Sequence, residues 1–198
     1  MMQTLVQHYT LEEYRSLEET AQERHEYHNG EVLAMTGGTL EHSAISGNIH
    51  ALLKSALRKT RFKPFNSDLR IWIPQHCRGV YPDVMVIEGE PKFHENRRDE
   101  VVNPQLIVEV LSRSTEAHDR GNKFMYYRSI PEFSEYLLVN QYQPVVDQYV
   151  RTDKNEWLMR SHEGLDGIIN LETIGLELNT GDIYEDIVFA SAANGEDS

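Results

Sequence analysis

Two acids lie inside the most apolar stretches of this chain, and they constrain how it can fold. One stretch runs Val80-Tyr81-Pro82-Asp83-Val84-Met85-Val86-Ile87 and the other Gln105-Leu106-Ile107-Val108-Glu109-Val110-Leu111. Such continuously apolar runs are expected of strands covered on both faces. A carboxylate within such a strand is costly unless it is paired or holds a metal. Asp83 and Glu109 fall in consecutive predicted strands. If those strands are neighbours, the two side chains lie roughly 5 Å apart, close enough to share a cation.

The surrounding pattern predicts an α/β domain. Thr10 and Glu13 carry a capping-box signature, so a helix is expected from Leu11 to about Leu17. Asn29-Gly30 within Glu26–Met35 is a hairpin turn signal. After Gly37-Gly38, residues Ile45, Ile49, Leu52, Leu53, Ala56 and Leu57 recur at helical spacing and predict a second helix over 41–60. Phe65–Ile73 alternates as a strand, whereas Glu88–Asn103 is polar and charged and reads as a mobile loop. Ser114–Arg128 is predicted helical, capped by Ser114 or Thr115 and ended by Pro131. Tyr136–Val139, Val145–Arg151 and Trp157–Met159 predict a meander, followed by a short strand near Ile174–Leu178 and a helical turn at Asp182–Ile187. A single domain over residues 1–188 with an acidic, frayed tail over 189–198 accounts for the chain.

Composition narrows the function classes. Nothing approaches the roughly 18–20 apolar residues of a bilayer span, and the N-terminus has no signal-peptide pattern, so a cytoplasmic location is expected. The single cysteine, Cys77, excludes an internal disulfide and a multi-cysteine zinc site. The remaining histidines show no convincing metal-ligand spacing. A net charge of −13 argues against coating nucleic acid with the whole surface, but not against handling it locally. Lys54, Arg58, Lys59, Arg61 and Lys63 form one basic stretch with no acid among them. It fits either a helix C-terminus complementing the helix dipole or a phosphate contact.

Metal-assisted hydrolysis of a phosphodiester needs carboxylates to hold the ion. A nearby cation then takes up charge growing on the phosphate. Asp83 and Glu109 supply the acids, and Lys123 follows on a predicted helix. Asp119 and Lys123, four residues apart, also fit an ordinary salt bridge. Glu26 is a candidate third acid or a solvated one. His42 opens the second helix, as a cap or surface residue or as an active-site group.

These residues carry a family resemblance. Arg24-His25-Glu26-Tyr27-His28-Asn29-Gly30-Glu31, His42, Tyr81-Pro82-Asp83-Val84, Ile107-Val108-Glu109-Val110-Leu111-Ser112, Ser114-Thr115, Asp119, Lys123 and Pro131-Glu132-Phe133 all match. Over residues 10 to 188 the chain resembles the Uma-type family of restriction endonucleases, a branch of the PD-(D/E)xK nuclease superfamily. The resemblance implies a restriction-endonuclease-like α/β fold, with helices flanking a mixed central β-sheet. It implies an endonuclease hydrolysing DNA with Mg2+ or Mn2+ held by Asp83 and Glu109. The superfamily lysine belongs two residues after the glutamate, where this chain has Leu111. The family implies a migrated lysine, Lys123, with Arg113 as the fallback cation. Glu26 would assist, and His42 and Asp119 would be accessory. The basic stretch would touch DNA, and a homodimer is expected because a symmetric pair can cut both strands. A nuclease-like fold kept as a non-catalytic binding or assembly module stays open, as does a hydrolase of another phosphate compound.

Overall fold

The computed structural model describes residues 7–189. The expected acidic tail therefore lies, apart from Phe189, outside the described residues. Helix α1 (Leu11–Glu18) starts on the expected capping box: Thr10 Oγ1 accepts from Glu13 N at 3.2 Å, and Glu13 Oε2 accepts from Thr10 N at 2.8 Å. Strands β1 (His25–His28) and β2 (Glu31–Ala34) form the hairpin. Asn29 and Gly30 take φ values of 49° and 103°, as a two-residue hairpin turn requires. Helix α2 (Leu40–Ala56) follows, with Thr39 as its N-cap.

Two expected strands are each broken in two. Phe65–Ile73 divides into β3 (Phe62–Asn66) and β4 (Arg70–Ile73). Asp68 N donates to Asn66 Oδ1 in the turn between them. Val80–Ile87 divides into β5 (Arg78–Val80) and β6 (Val84–Glu88) around Pro82, which has no N–H to continue a ladder. At both breaks the chain passes from one sheet to the other. Period-two alternation persists through such a crossing, so pattern alone does not mark it.

Strands β7 (Glu100–Val101), β8 (Pro104–Leu111), β9 (Glu135–Asn140), β10 (Val145–Arg151) and β11 (Trp157–Glu163) complete the two large sheets. One sheet has order β2-β1-β5-β4-β7, the other β11-β10-β9-β8-β6-β3. Both are mixed: β4–β7 and β8–β9 pair in parallel, the other neighbours antiparallel. A separate hairpin joins β12 (Ile168–Leu171), not anticipated from the sequence, to β13 (Leu176–Asn179). Helix α5 (Thr180–Ile183) replaces the helical turn expected at 182–187.

The six-stranded sheet is apolar on both faces because each face has its own cover. Val84, Val86, Val108 and Val110 pack with Ile45, Ile49 and Leu53 of α2. Met85, Ile87, Ile107 and Leu111 pack with Tyr127, Ile130 and Phe133. That second cover is the 116–127 helix, made of α3 (Glu116–His118), a π-helical turn (Asp119–Lys123) and α4 (Phe124–Tyr127), with the segment after it that carries Ile130 and Phe133. Ile71, Ile73 and Val80 of the other sheet join the same cluster, so this helix lies where the two sheets meet.

Residues 88–103, expected to be a mobile loop, are pinned. The buried Glu100 accepts from Arg15 Nη2 at 2.8 Å and from Arg70 Nη2 at 2.7 Å. Arg70, 1% exposed, also donates to Tyr14, Tyr81 and Asp99. Glu100 is thus held by distant partners, whereas Glu90, Lys92 and Glu95 of the same segment remain exposed. Among the described residues no helix is long and apolar enough to cross a membrane.

Candidate active site

The crossing from β5 to β6 builds the centre. Antiparallel register sets Val84 opposite Val108. One step further, Pro82 and Asp83 have left the ladder, so Val110 N has no strand partner on that side. Asp83 Oδ2 accepts from it at 2.7 Å. Glu26 Oε1 does the same for Tyr81 N at 3.3 Å. Both acids thus satisfy backbone donors stranded by the break, which ties their positions to the fold.

Glu109, on β8, turns to the same face as Ile107 and Leu111 and meets the 116–127 helix. Lys123 Nζ lies 2.8 Å from Glu109 Oε1, 3.6 Å from Asp119 Oδ1 and 4.0 Å from Glu26 Oε1. Tyr127 donates its hydroxyl to Glu109 Oε1 at 2.8 Å. His42 Nε2 is 3.3 Å from Asp83 Oδ2. Tyr136 donates its hydroxyl to the Asp119 carbonyl, holding the π turn against β9. Single π turns in α-helices often mark functional sites.

Every residue named as catalytic or accessory from the sequence (Glu26, His42, Asp83, Glu109, Asp119 and Lys123) comes into this one cluster. Arg113, the fallback cation, does not: it is exposed and its guanidinium lies over Tyr142. The basic stretch also lies elsewhere. Lys54 follows His42 along α2 by a distance of about 18 Å at 1.5 Å per residue. Arg61 pairs with Glu88 and Lys63 with Glu90.

Sequence reasoning took Tyr127 for a packing residue and gave His28 no role. Tyr127 continues the Asp119, Lys123 stripe at four-residue spacing, and that was its signal. His28 stands two residues from Glu26 on one strand face, and its Nε2 is 2.9 Å from Glu26 Oε2.

Electrostatics follow from four carboxylates crowding one ammonium. Burial pushes the Glu109 carboxyl well above the ordinary range; Lys123 opposes the shift, while Asp119 and Asp83 add to it. Burial alone would lower Lys123, but Glu109, Glu26 and Asp119 outweigh it and hold the ammonium well above its usual pKa. Burial raises Glu26, yet Lys123 and the His28 hydrogen bond leave it below the ordinary value. Interaction with Asp83 holds His42 above the usual imidazole value, against burial.

The donor set suits a hard cation. Asp83 and Glu109 offer carboxylate oxygens, and Mg2+ takes one or two of these with waters rather than an all-protein cage. Among the described residues, no three or more His, Cys, Asp or Glu converge as a ready cage.

Fold and centre together define a mixed α/β protein with a buried carboxylate–lysine cluster where two sheets meet. The chain belongs to the Uma2 family: the model described as "Uma2: Putative restriction endonuclease" matches residues 11–181. Two relatives from Synechocystis sp. (strain ATCC 27184 / PCC 6803 / Kazusa) are both named as uncharacterized proteins. The relative sll1609 is 39% identical over 150 residues, covering 76% of this chain and 85% of its own. The relative slr1290 is 37% identical over 178 residues, covering 90% and 92%. The fold is similar to the crystal structure of "a putative nuclease belonging to DUF820 from Anabaena variabilis ATCC 29413". That likeness has a TM-score of 0.72 at 18% identity and spans 89% of this chain and 97% of the other.

Proposed function

We propose that this chain is a divalent-metal-dependent DNA endonuclease of restriction-endonuclease type, with the six-stranded sheet as its central layer. The observation that carries the reading is Lys123 Nζ at 2.8 Å from Glu109 Oε1. The position two residues after the glutamate is Leu111, buried in the core, yet an ammonium reaches the carboxylate from the neighbouring helix. Hydrolysis depends on where the charge sits in space, not on its offset in the chain.

Asp83 and Glu109 would hold Mg2+ or Mn2+, and the bound ion would lower the pKa of a water and offset charge developing on phosphate. Lys123 stays protonated at neutral pH, so it acts as a cation and hydrogen-bond donor toward the phosphate or the attacking water. It is not a general base. Glu26 and Asp119 hold Lys123 in place, Tyr127 fixes the Glu109 rotamer, and His42 adds positive charge beside Asp83. Lys54, Arg58 and Lys59 are exposed and would serve remote phosphate contact. A homodimer would present two centres to the two strands.

The test is incubation of purified protein with supercoiled plasmid and Mn2+ or Mg2+, beside an EDTA control and Asp83→Asn. Nicking or linearisation lost in both controls supports the reading. DNA left intact by folded protein across metals, salts and pH overturns it in favour of a non-catalytic module.

A further inference from the structure

A second cluster adjoins the centre through His28, and its other members take no part in the chemistry described. Register sets Arg78 of β5 opposite His28 of β1. The Arg78 guanidinium carbon lies 4.1 Å from the centroid of the Tyr126 ring. His76 stacks obliquely on the same tyrosine at 4.8 Å. His118 lies 6.5 Å from Tyr126 and 6.1 Å from His28. All five residues are half-buried. The patch is continuous with the centre, since His118 precedes Asp119 and His28 bonds to Glu26.

Arg78 is the informative member. Its Nε and Nη1 are shielded from solvent and, among the described residues, have no hydrogen-bond partner. Among the described residues no carboxylate pairs with it, although the chain has 32 acids to 19 basic residues. Arg70 shows the contrast: its two terminal nitrogens reach Tyr14, Tyr81, Asp99 and Glu100. Shielded donors without acceptors are uncommon and costly. Carboxylate and phosphate both match the fork of a planar guanidinium, and beside a centre read as a DNA endonuclease the phosphate is the acceptor at hand. The rings around it offer stacking surfaces for a base.

We propose that Arg78 and Tyr126, bordered by His28 and His118, form a subsite for one unpaired nucleotide of a DNA strand, its phosphate on Arg78 and its base stacked on Tyr126. The choice of a nucleotide rests on the endonuclease reading. Binding at this subsite requires the Tyr126 ring to move aside from the Arg78 guanidinium it packs against, since Nε and Nη1 are shielded in the unliganded protein. A base unstacked from its neighbours here would bend the strand as it enters the acid–lysine centre.

The test is fluorescence anisotropy with a labelled oligothymidylate about 12 nucleotides long, and with an abasic strand of equal length, both in EDTA so that cutting plays no part. Arg78→Gln and Tyr126→Ala are each expected to weaken oligothymidylate binding roughly ten-fold, with Tyr126→Phe close to the parent. Arg78→Gln is also expected to reduce the salt slope of log K by about 0.7. Arg78→Lys, with less side-chain change, should weaken binding partially if the glutamine variant fails to fold. Absent binding by the parent, unchanged binding by folded Arg78 and Tyr126 variants, or equal binding of the abasic strand overturns the subsite. Plasmid cutting separates the two readings. Cutting that persists while the variants bind normally removes the subsite alone. Failed cutting with binding lost in Arg78→Gln removes the endonuclease and leaves the subsite.

Discussion

Lys123 Nζ lies 2.8 Å from Glu109 Oε1, with both side chains almost wholly buried. The lysine comes from a helix and the glutamate from a strand, and neither is locally constrained to meet the other. Replacing Lys123 with Met is expected to lower the plasmid nicking rate about 100- to 1,000-fold, the scale of losing one transition-state donor. Lys123→Arg should not restore it, because a planar guanidinium does not fit a pocket shaped around a compact ammonium. Initial nicking rates with Mn2+ check both variants; near-parental cutting by Lys123→Met would remove the lysine from the mechanism.

Asp83→Asn should lose Mn2+ binding by calorimetry and DNA cutting together. Asparagine keeps an oxygen able to accept from Val110 N, so the melting temperature should stay within about 4 °C of the parent. Retained metal affinity with lost cutting would assign Asp83 a role other than ligand.

Tyr127→Phe removes one hydroxyl that donates to Glu109 Oε1 at 2.8 Å. The expected cost is about 1.5–3 kcal/mol in urea unfolding, for one lost hydrogen bond to a charged group, since Lys123 Nζ still reaches the same oxygen. If Tyr127 positions Glu109, kcat should fall more than KM rises. A stability loss with unchanged kcat would leave Tyr127 purely structural.

Acid should weaken the fold through Glu100. Burial pushes this carboxyl up, but Arg15, Arg70 and His94 outweigh burial and hold it below the ordinary value. Its folded pKa is therefore lower than its unfolded pKa of about 4.3. The stabilisation is complete above the unfolded value and is lost as pH falls through the folded one. Urea midpoints should drop on acidification below about pH 4.5, and Glu100→Gln should flatten that dependence. The same variant should cost about 3 kcal/mol at neutral pH, since it strips a buried charge partner from Arg15 and Arg70. An unchanged acid profile in Glu100→Gln would place the sensitivity elsewhere.

Much of the local structure was legible. Thr10 and Glu13 marked α1, Asn29-Gly30 marked the hairpin, and Ile45, Ile49 and Leu53 marked the buried face of α2. Each signal spans a few residues, because caps, turns and helical periodicity are short-range physics. The candidate acids were legible too, since Asp83 and Glu109 interrupt runs that otherwise have no reason to carry charge.

The sequence by itself determined which residues needed explaining: two acids in apolar strands, and a lysine on a helix that could answer them. Only the tertiary structure decided that Tyr81-Pro82-Asp83 is a crossing between sheets, so that Asp83 and Glu26 serve stranded backbone donors as well as the centre. It also decided that Lys123 reaches Glu109, that Glu100 binds Arg15 and Arg70, and that among the described residues Arg78 Nε and Nη1 find no hydrogen-bond partner. Those outcomes depend on which distant segments become neighbours. Strand pairing and burial across the whole chain set that, and no local periodicity records it.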